Sequence, residues 1–193
     1  MYVCGDNADV VSSNFTENKN SAAVYSVANN TSIDSSRFEE NVAGAIQFNG
    51  ASDFNVDGTK FIKNEVASAL NIQNSNGTVA NSEFRQNDGA SAIAITNSNG
   101  VDVTDSTFEG NQANSGSADI SVTGSSDILL ETLTVTNSHG ATSSIYIDSD
   151  VTMDDINMSG WSSSPAVLFD GGNSTMMNSA LDGNNAIKIT GDE

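Results

Sequence analysis

Residues 61–72 read FIKNEVASALNI. The stretch presents no helical face and is not one clean strand. An apolar anchor, Phe61, is followed three residues later by Asn64, and a small-apolar run ending in Leu70 and Ile72 comes behind. The same arrangement stands earlier as FEENVAGAIQF (38–48) and later as FRQNDGASAIAI (84–95). Working outward, Phe15, Phe38, Phe61 and Phe84 are 23 residues apart, and Phe108 follows after 24. The slot continues as Val135, 27 residues on, then Met158 and Leu181 at intervals of 23. Three residues after these anchors stand Asn18, Asn41, Asn64, Asn87, Asn111, Ser138, Trp161 and Asn184. Eight copies at a near-constant period make this a repeat architecture.

Within a copy the hydrophobic period is two. Five and seven residues before the anchor lie apolar pairs such as Phe54 and Val56, Val101 and Val103, Ile128 and Leu130, and Val151 and Met153. After the Asn slot come alternating runs: AIQF, ALNI, AIAI, SIYI, AVLF and AIKI. Both read as short, half-buried strands separated by Gly, Asn and Ser. The absence of a helical face excludes helical repeats. A unit of this length with about three short strands fits one coil of an all-β, right-handed parallel β-helix. Equivalent residues of successive coils then stack about 4.8 Å apart, and eight coils make a rod roughly 40 Å long. The anchors become an internal apolar stack and the Asn slot an amide ladder. The outward neighbour Ile62 is expected to face solvent. The whole chain, 1–193, reads as one such domain, expected to be a segment of a longer solenoid because neither end carries an evident cap.

The Phe-x-x-Asn unit followed by a Gly/Ala-Ala-Ile strand resembles the repeats of chlamydial polymorphic outer-membrane proteins. It is similar, too, to right-handed β-helix repeats of many bacterial surface proteins. The segments that carry the likeness are Phe38 to Phe48, Phe61 to Ile72 and Phe84 to Ile95. The later copies lose Phe, and two lose Asn. The resemblance implies an adhesive passenger segment displayed at the cell surface or secreted. It specifies a coil type well and an activity poorly.

Composition narrows the partners. The 193 residues carry a net charge of −19 with only 6 Lys and Arg, too few for a phosphate-binding stripe, so nucleic acid is not an expected partner. Leu, Ile, Val and Phe number 42, so composition alone leaves folding open and the periodicity decides it. The 25 Asn suit a chain that turns often. Cys4 stands alone, which excludes an intrachain disulfide and a Cys-based metal site. No apolar run is long enough to span a membrane as a helix. The opening MYVCGDNADV lacks a basic start and an apolar stretch, so an export signal is expected elsewhere if the protein is exported by that route. An extracellular or cell-surface location is the expectation.

The search for chemistry yields three sets. Asp34 and Asp57, and again Glu131 and Asp154, fall in one outward column on neighbouring coils, where Ca²⁺ would relieve repulsion between stacked carboxylates. The competing reading is a solvated acidic face. Second, the extra residues of the 27-residue coil are expected in NQANSGSAD (111–119), and the next two coils break the ladder. There Trp161, His139, Asn137 and Ser162, with Ser163 and Ser164, could form a sugar-stacking patch for a glycan or protein ligand. The competing reading is that Trp161 covers a corner of the core. Third, polysaccharide lyases and hydrolases of this fold use basic groups or clustered Asp with a His. Arg37 and Arg85 read as solvated, and Asp154–Asp155 with His139 stand in the reverse of the polygalacturonase order. A non-enzymatic adhesive or spacer rod is therefore expected, with a partial or degenerate polysaccharide-degrading enzyme as the alternative. Ice binding needs a regular Thr array, and the outward slot Asp9, Ser32, Asn55, Thr78, Asp102, Leu129, Thr152, Thr175 is too irregular for it. No other cofactor is implied. End-to-end self-association is expected if the strand edges at the ends stay open.

Overall fold

The computed structural model describes residues 1–114, 117–162, 165–183 and 185–190. Its regular structure is all strand, and the strands are joined in parallel from coil to coil. One sheet of nine strands holds the run after each Asn slot, including Ile46–Asn49, Leu70–Gln73, Ile93–Thr96, Ala118–Thr123 and Ser143–Asp148. A second sheet of 14 strands holds both the paired-apolar strands and the anchor strands. The sheet bends between them, so each coil has three strand segments around one core.

The register is the one the repeat predicts. Phe15, Phe38, Phe61, Phe84, Phe108, Val135, Met158 and Leu181 pair in order, coil against coil. The five phenyl rings stack nearly parallel, with centroids 4.8, 5.5, 4.5 and 4.7 Å apart. Phe54 fits the core beside them because Gly77 lies opposite it, where a Cβ would come within 2.7 Å of the ring. The outward slot from Asp9 to Thr175 also stacks as expected.

Columns of left-handed residues turn the corners. One runs Ser12, Ser35, Gly58, Asn81, Asp105, Thr132, Asp155 and Asn178; a second runs Glu17, Glu40, Lys63, Gln86, Gly110, Asn137 and Gly160; a third includes Gly50, Asn74, Asn97 and Gly124. A single residue at positive φ reverses the pleat and redirects the strand, and Asn, Asp and Gly, which tolerate it best, are frequent in the first and third columns. The 27-residue step is localised by register. Gly89 pairs with Ala113, 24 residues on, but Ile93 pairs with Ile120, 27 on, so the three extra residues lie between Ala113 and Ile120. Ser115 and Gly116 of that stretch lie outside the described residues.

The structure corrects the expectation for Ile62. It is 2 % exposed although it points away from the Phe column. Ile62 sits between Glu39 and Arg85 of the adjacent coils, and Lys60 sits between Arg37 and Glu83. Ion pairs Arg37–Glu39 (2.9 Å), Lys60–Glu83 (3.2 Å) and Arg85–Glu83 (3.6 Å) spread the long side chains over it. Their methylene stems exclude water from the Ile. Arg37 and Arg85 stay 40 % and 41 % exposed in their side chains, although the Arg85 Nε itself is buried.

Candidate functional site

The amide ladder is built as anticipated over five coils. Asn18, Asn41, Asn64 and Asn87 each donate a side-chain N–H to the Oδ1 of the next Asn, at 2.6, 2.9, 2.9 and 2.9 Å. Asn41, Asn64 and Asn87 donate their second N–H, and Asn111 one N–H, to the carbonyl of the Phe one coil below. Each of these Oδ1 atoms also accepts the backbone N–H of the preceding Asn. The interior amides of the ladder are thus fully satisfied, as buried polar groups must be.

Two further ladders made by hydroxyls escaped the sequence reading. Backbone N–H groups of Ser13, Ser36, Thr59 and Ser82 donate to the hydroxyls of Ser36, Thr59, Ser82 and Ser106. At the third corner, Ser75, Ser98 and Ser125 donate likewise to Ser98, Ser125 and Ser149. The signal was present: a Ser or Thr stands two residues before each of the first five anchors.

Regularity fails in coils six and seven at two corners at once. Leu133 and Ile156 replace the hydroxyl slot and stack on each other, so the strands Ser126–Thr136 and Val151–Ser159 run unbroken across that corner. Ser138 and Trp161 replace the amide slot, and Asn184, the eighth position, lies outside the described residues. This corner gathers all four residues of the expected patch. The His139 Nδ1 lies 2.8 Å from the Ser162 hydroxyl, and the Ser162 N–H donates to the Ser138 carbonyl at 3.0 Å. Asn137 stands against Gly160, where a Cβ would come within 2.7 Å of the Asn137 Oδ1. Asn137, His139 and Ser162 are exposed. Trp161 is half-buried, packs against the core and lies over Gly183, where a Cβ would meet the indole at 2.6 Å. The indole therefore covers a core corner and still shows part of its face. Ser163 and Ser164, also expected here, lie outside the described residues.

An aromatic on the following strand adds to this side of the rod. The Tyr146 hydroxyl donates to Asp170 at 2.7 Å. That bond pushes the phenol up to about 12. The Asp170 carboxyl is held below its ordinary value by hydrogen bonds from Thr190 and Tyr146.

The acidic column stands where the spacing put it. Asp34 pairs with Asp57 and Glu131 with Asp154, with Ala80 and Thr104 between the two pairs. Ser35 donates to Asp34, Asn81 to Asp57 and Asn178 to Asp154, each at 2.8 Å. Among the described residues no three acid, His or Cys side chains gather around a common point. Each pair offers two carboxylates, fewer oxygens than Ca²⁺ takes without carbonyls or water. Asp154 and Asp155 lie at the corner before the Met158 anchor, whereas His139 lies at the corner after Val135, beside Ser162.

One residue at this corner was not singled out by sequence. Asp119 is 1 % exposed, and both its carboxylate oxygens are buried without a hydrogen-bond partner. Burial pushes its carboxyl up to about 7, against the weaker pull of the nearby Ser138 hydroxyl and Ala113 N–H. The clue was an Asp where the four preceding copies carry Ala before the first aliphatic residue of the second strand.

A family model described as a right handed beta helix region matches residues 2–118 and 91–192. No curated protein matches the chain. Among solved structures, the chain is similar to HetL, a pentapeptide repeat protein involved in heterocyst differentiation regulation from the cyanobacterium Nostoc sp. strain PCC 7120. That likeness has 10% identity and a TM-score of 0.28, over 93% of this chain and 87% of that one. It is also similar to QnrB1, a plasmid-mediated fluoroquinolone resistance protein, with 11% identity and a TM-score of 0.26, over 93% of this chain and 92% of that one.

Proposed function

Because the chain belongs to the right-handed β-helix family, we propose that it is a non-enzymatic rod of a secreted or surface-displayed bacterial protein that binds a glycan at the interrupted ladder. The observation that carries this reading is the convergence of Asn137, His139, Trp161 and Ser162 on one corner, at the place where the ladder stops repeating. A partly exposed indole offers a face for the C–H surface of a sugar, and the amide, imidazole and hydroxyl beside it offer hydrogen bonds to its hydroxyls. The net charge of −19 favours a neutral glycan over an acidic one. The separation of His139 from Asp154 and Asp155 supports binding without hydrolysis. The exposed Ile187 and Ile189, around an apolar hollow of about 280 Å³ with Phe169 and Met176, favour end-to-end stacking of a second copy there.

A glycan array paired with a cleavage screen on uronate polymers tests the reading. Binding to a neutral glycan, lost in Trp161→Ala and in His139→Ala, with every polymer left intact, is the expected result. Cleavage of any polymer replaces the reading with the polysaccharide-degrading one. Binding to a protein but to no glycan transfers the patch to a protein partner.

A further inference from the structure

Asp119 stands in a column made otherwise of small residues. Its strand pairs Ile120 with Ile93 below and with Ile145 above, which sets Asp119 level with Ala92 and Ser144. The same level holds Ala23, Ala45, Ala69 and Ala166, all buried. An Ala-sized slot is tight for a carboxylate, and two departures from the repeat stand next to it: three extra residues lie between Ala113 and Ile120, and the smaller Ser138 takes the place of an Asn amide. The carboxylate lies beside Ser138 and the Ala113 N–H, at the end of the ladder. Neither neighbour closes a hydrogen bond. Both Asp119 oxygens, the Ser138 hydroxyl and the Ser143 hydroxyl are buried and unpartnered.

Titratable groups on the surrounding elements are Asp88 on the strand beside Gln112–Ala113, His139 next to Ser138, and Asp148 at the far end of Ser143–Asp148. All three are exposed, and none contributes to the shift of Asp119. An ionised carboxylate here would thus have no compensating charge, which a buried site does not tolerate. A neutral carboxyl carries no charge to compensate and can donate its proton to the neighbouring Ser138 hydroxyl.

We propose that Asp119 is a proton-operated latch beneath the Trp161–His139 corner: neutral, it seals the end of the amide ladder; ionised, it draws in water and loosens the corner. The corner is coupled directly, since Ser138, which flanks the carboxylate, accepts from Ser162 and precedes His139 in the chain. The latch stands on the burial of Asp119; its effect on a ligand rests on the glycan reading above.

The single tryptophan, Trp161, makes the latch observable. Its fluorescence should titrate with a midpoint near the value of about 7 to which Asp119 is raised. His139 is an exposed imidazole beside the same corner, so its part in any transition has to be separated from that of Asp119. The variants separate the two: the transition should persist in His139→Gln and vanish in Asp119→Asn and Asp119→Ala. The Ala variant fits the column its neighbours occupy, so it keeps the test open if Asn packs poorly. Melting temperatures give a second readout. Relative to Asp119→Asn, the parent should lose stability progressively from about pH 4 to about pH 7 and no further above, because only the unfolded carboxyl ionises across that window. No fluorescence transition within about two units of that midpoint, roughly pH 5 to 9, would overturn the proposal. So would a transition that His139→Gln abolishes and Asp119→Asn keeps. Both results can be read whether or not any glycan binds.

Discussion

Replacing Asn64 by Ala asks how much one rung of the ladder stabilises. Asn64 is fully buried in the third coil. Its side chain makes four hydrogen bonds: it donates to the Phe38 carbonyl at 3.1 Å and to Asn87 Oδ1 at 2.9 Å, and accepts the Asn41 backbone N–H at 3.2 Å and side-chain N–H at 2.9 Å. Truncation removes all four and admits no water in their place. Asn87 Oδ1 keeps a partner, the Asn64 backbone N–H at 3.0 Å. Both Asn41 donors lose their acceptor. Orphaned buried donors cost about 1–3 kcal/mol each, so the substitution should cost about 3–5 kcal/mol in all. Asn18→Ala supplies the comparison. Asn18 is half-exposed at the first rung, and its loss leaves Asn41 Oδ1 still bonded to the Asn18 backbone N–H. That variant should cost about 1 kcal/mol. Urea melts of the two variants against the parent, with m compared as well as midpoint, measure the difference. A cost for Asn64→Ala no larger than that for Asn18→Ala would refute the reasoning, because it would mean that the ladder follows the coil stack without contributing to it.

Other outcomes follow from the same packing. Phe61→Ala empties a stack position between rings 5.5 and 4.5 Å away and should cost about 3–5 kcal/mol in denaturant melts. Ile62→Ala, which the alternation marks as harmless, should cost about 2–3 kcal/mol because the ion-paired side chains above it exclude water; a loss under about 1 kcal/mol would show that these chains form no packed roof. Trp161→Ala should lower stability by about 1–3 kcal/mol, since the indole both packs on the core and remains half-exposed. An unchanged melting temperature would mean that the ring contributes to ligand contact alone.

Much of this molecule was written in the chain. A period of 23 residues makes equivalent positions neighbours in space, so a one-dimensional repeat is already a list of contacts. The Phe column, the Asn ladder, the outward slot and the site of the extra residues could all be read that way, and so could the meeting of His139 with Ser162, which are 23 residues apart. The tertiary structure decided what equivalence between coils does not encode. Ile62 is buried by charged side chains of two neighbouring coils, and alternation along one strand carries no information about a cover supplied from others. Whether Trp161 reaches into solvent or onto the core depended on Gly183, one coil on, lacking a Cβ. Asp119 was visible as an acid in an alanine slot. Its lack of any partner came from the coincidence of an insertion in its own coil with a missing amide in the next. Such a contact joins two departures from the repeat, and the regular pattern could not place it.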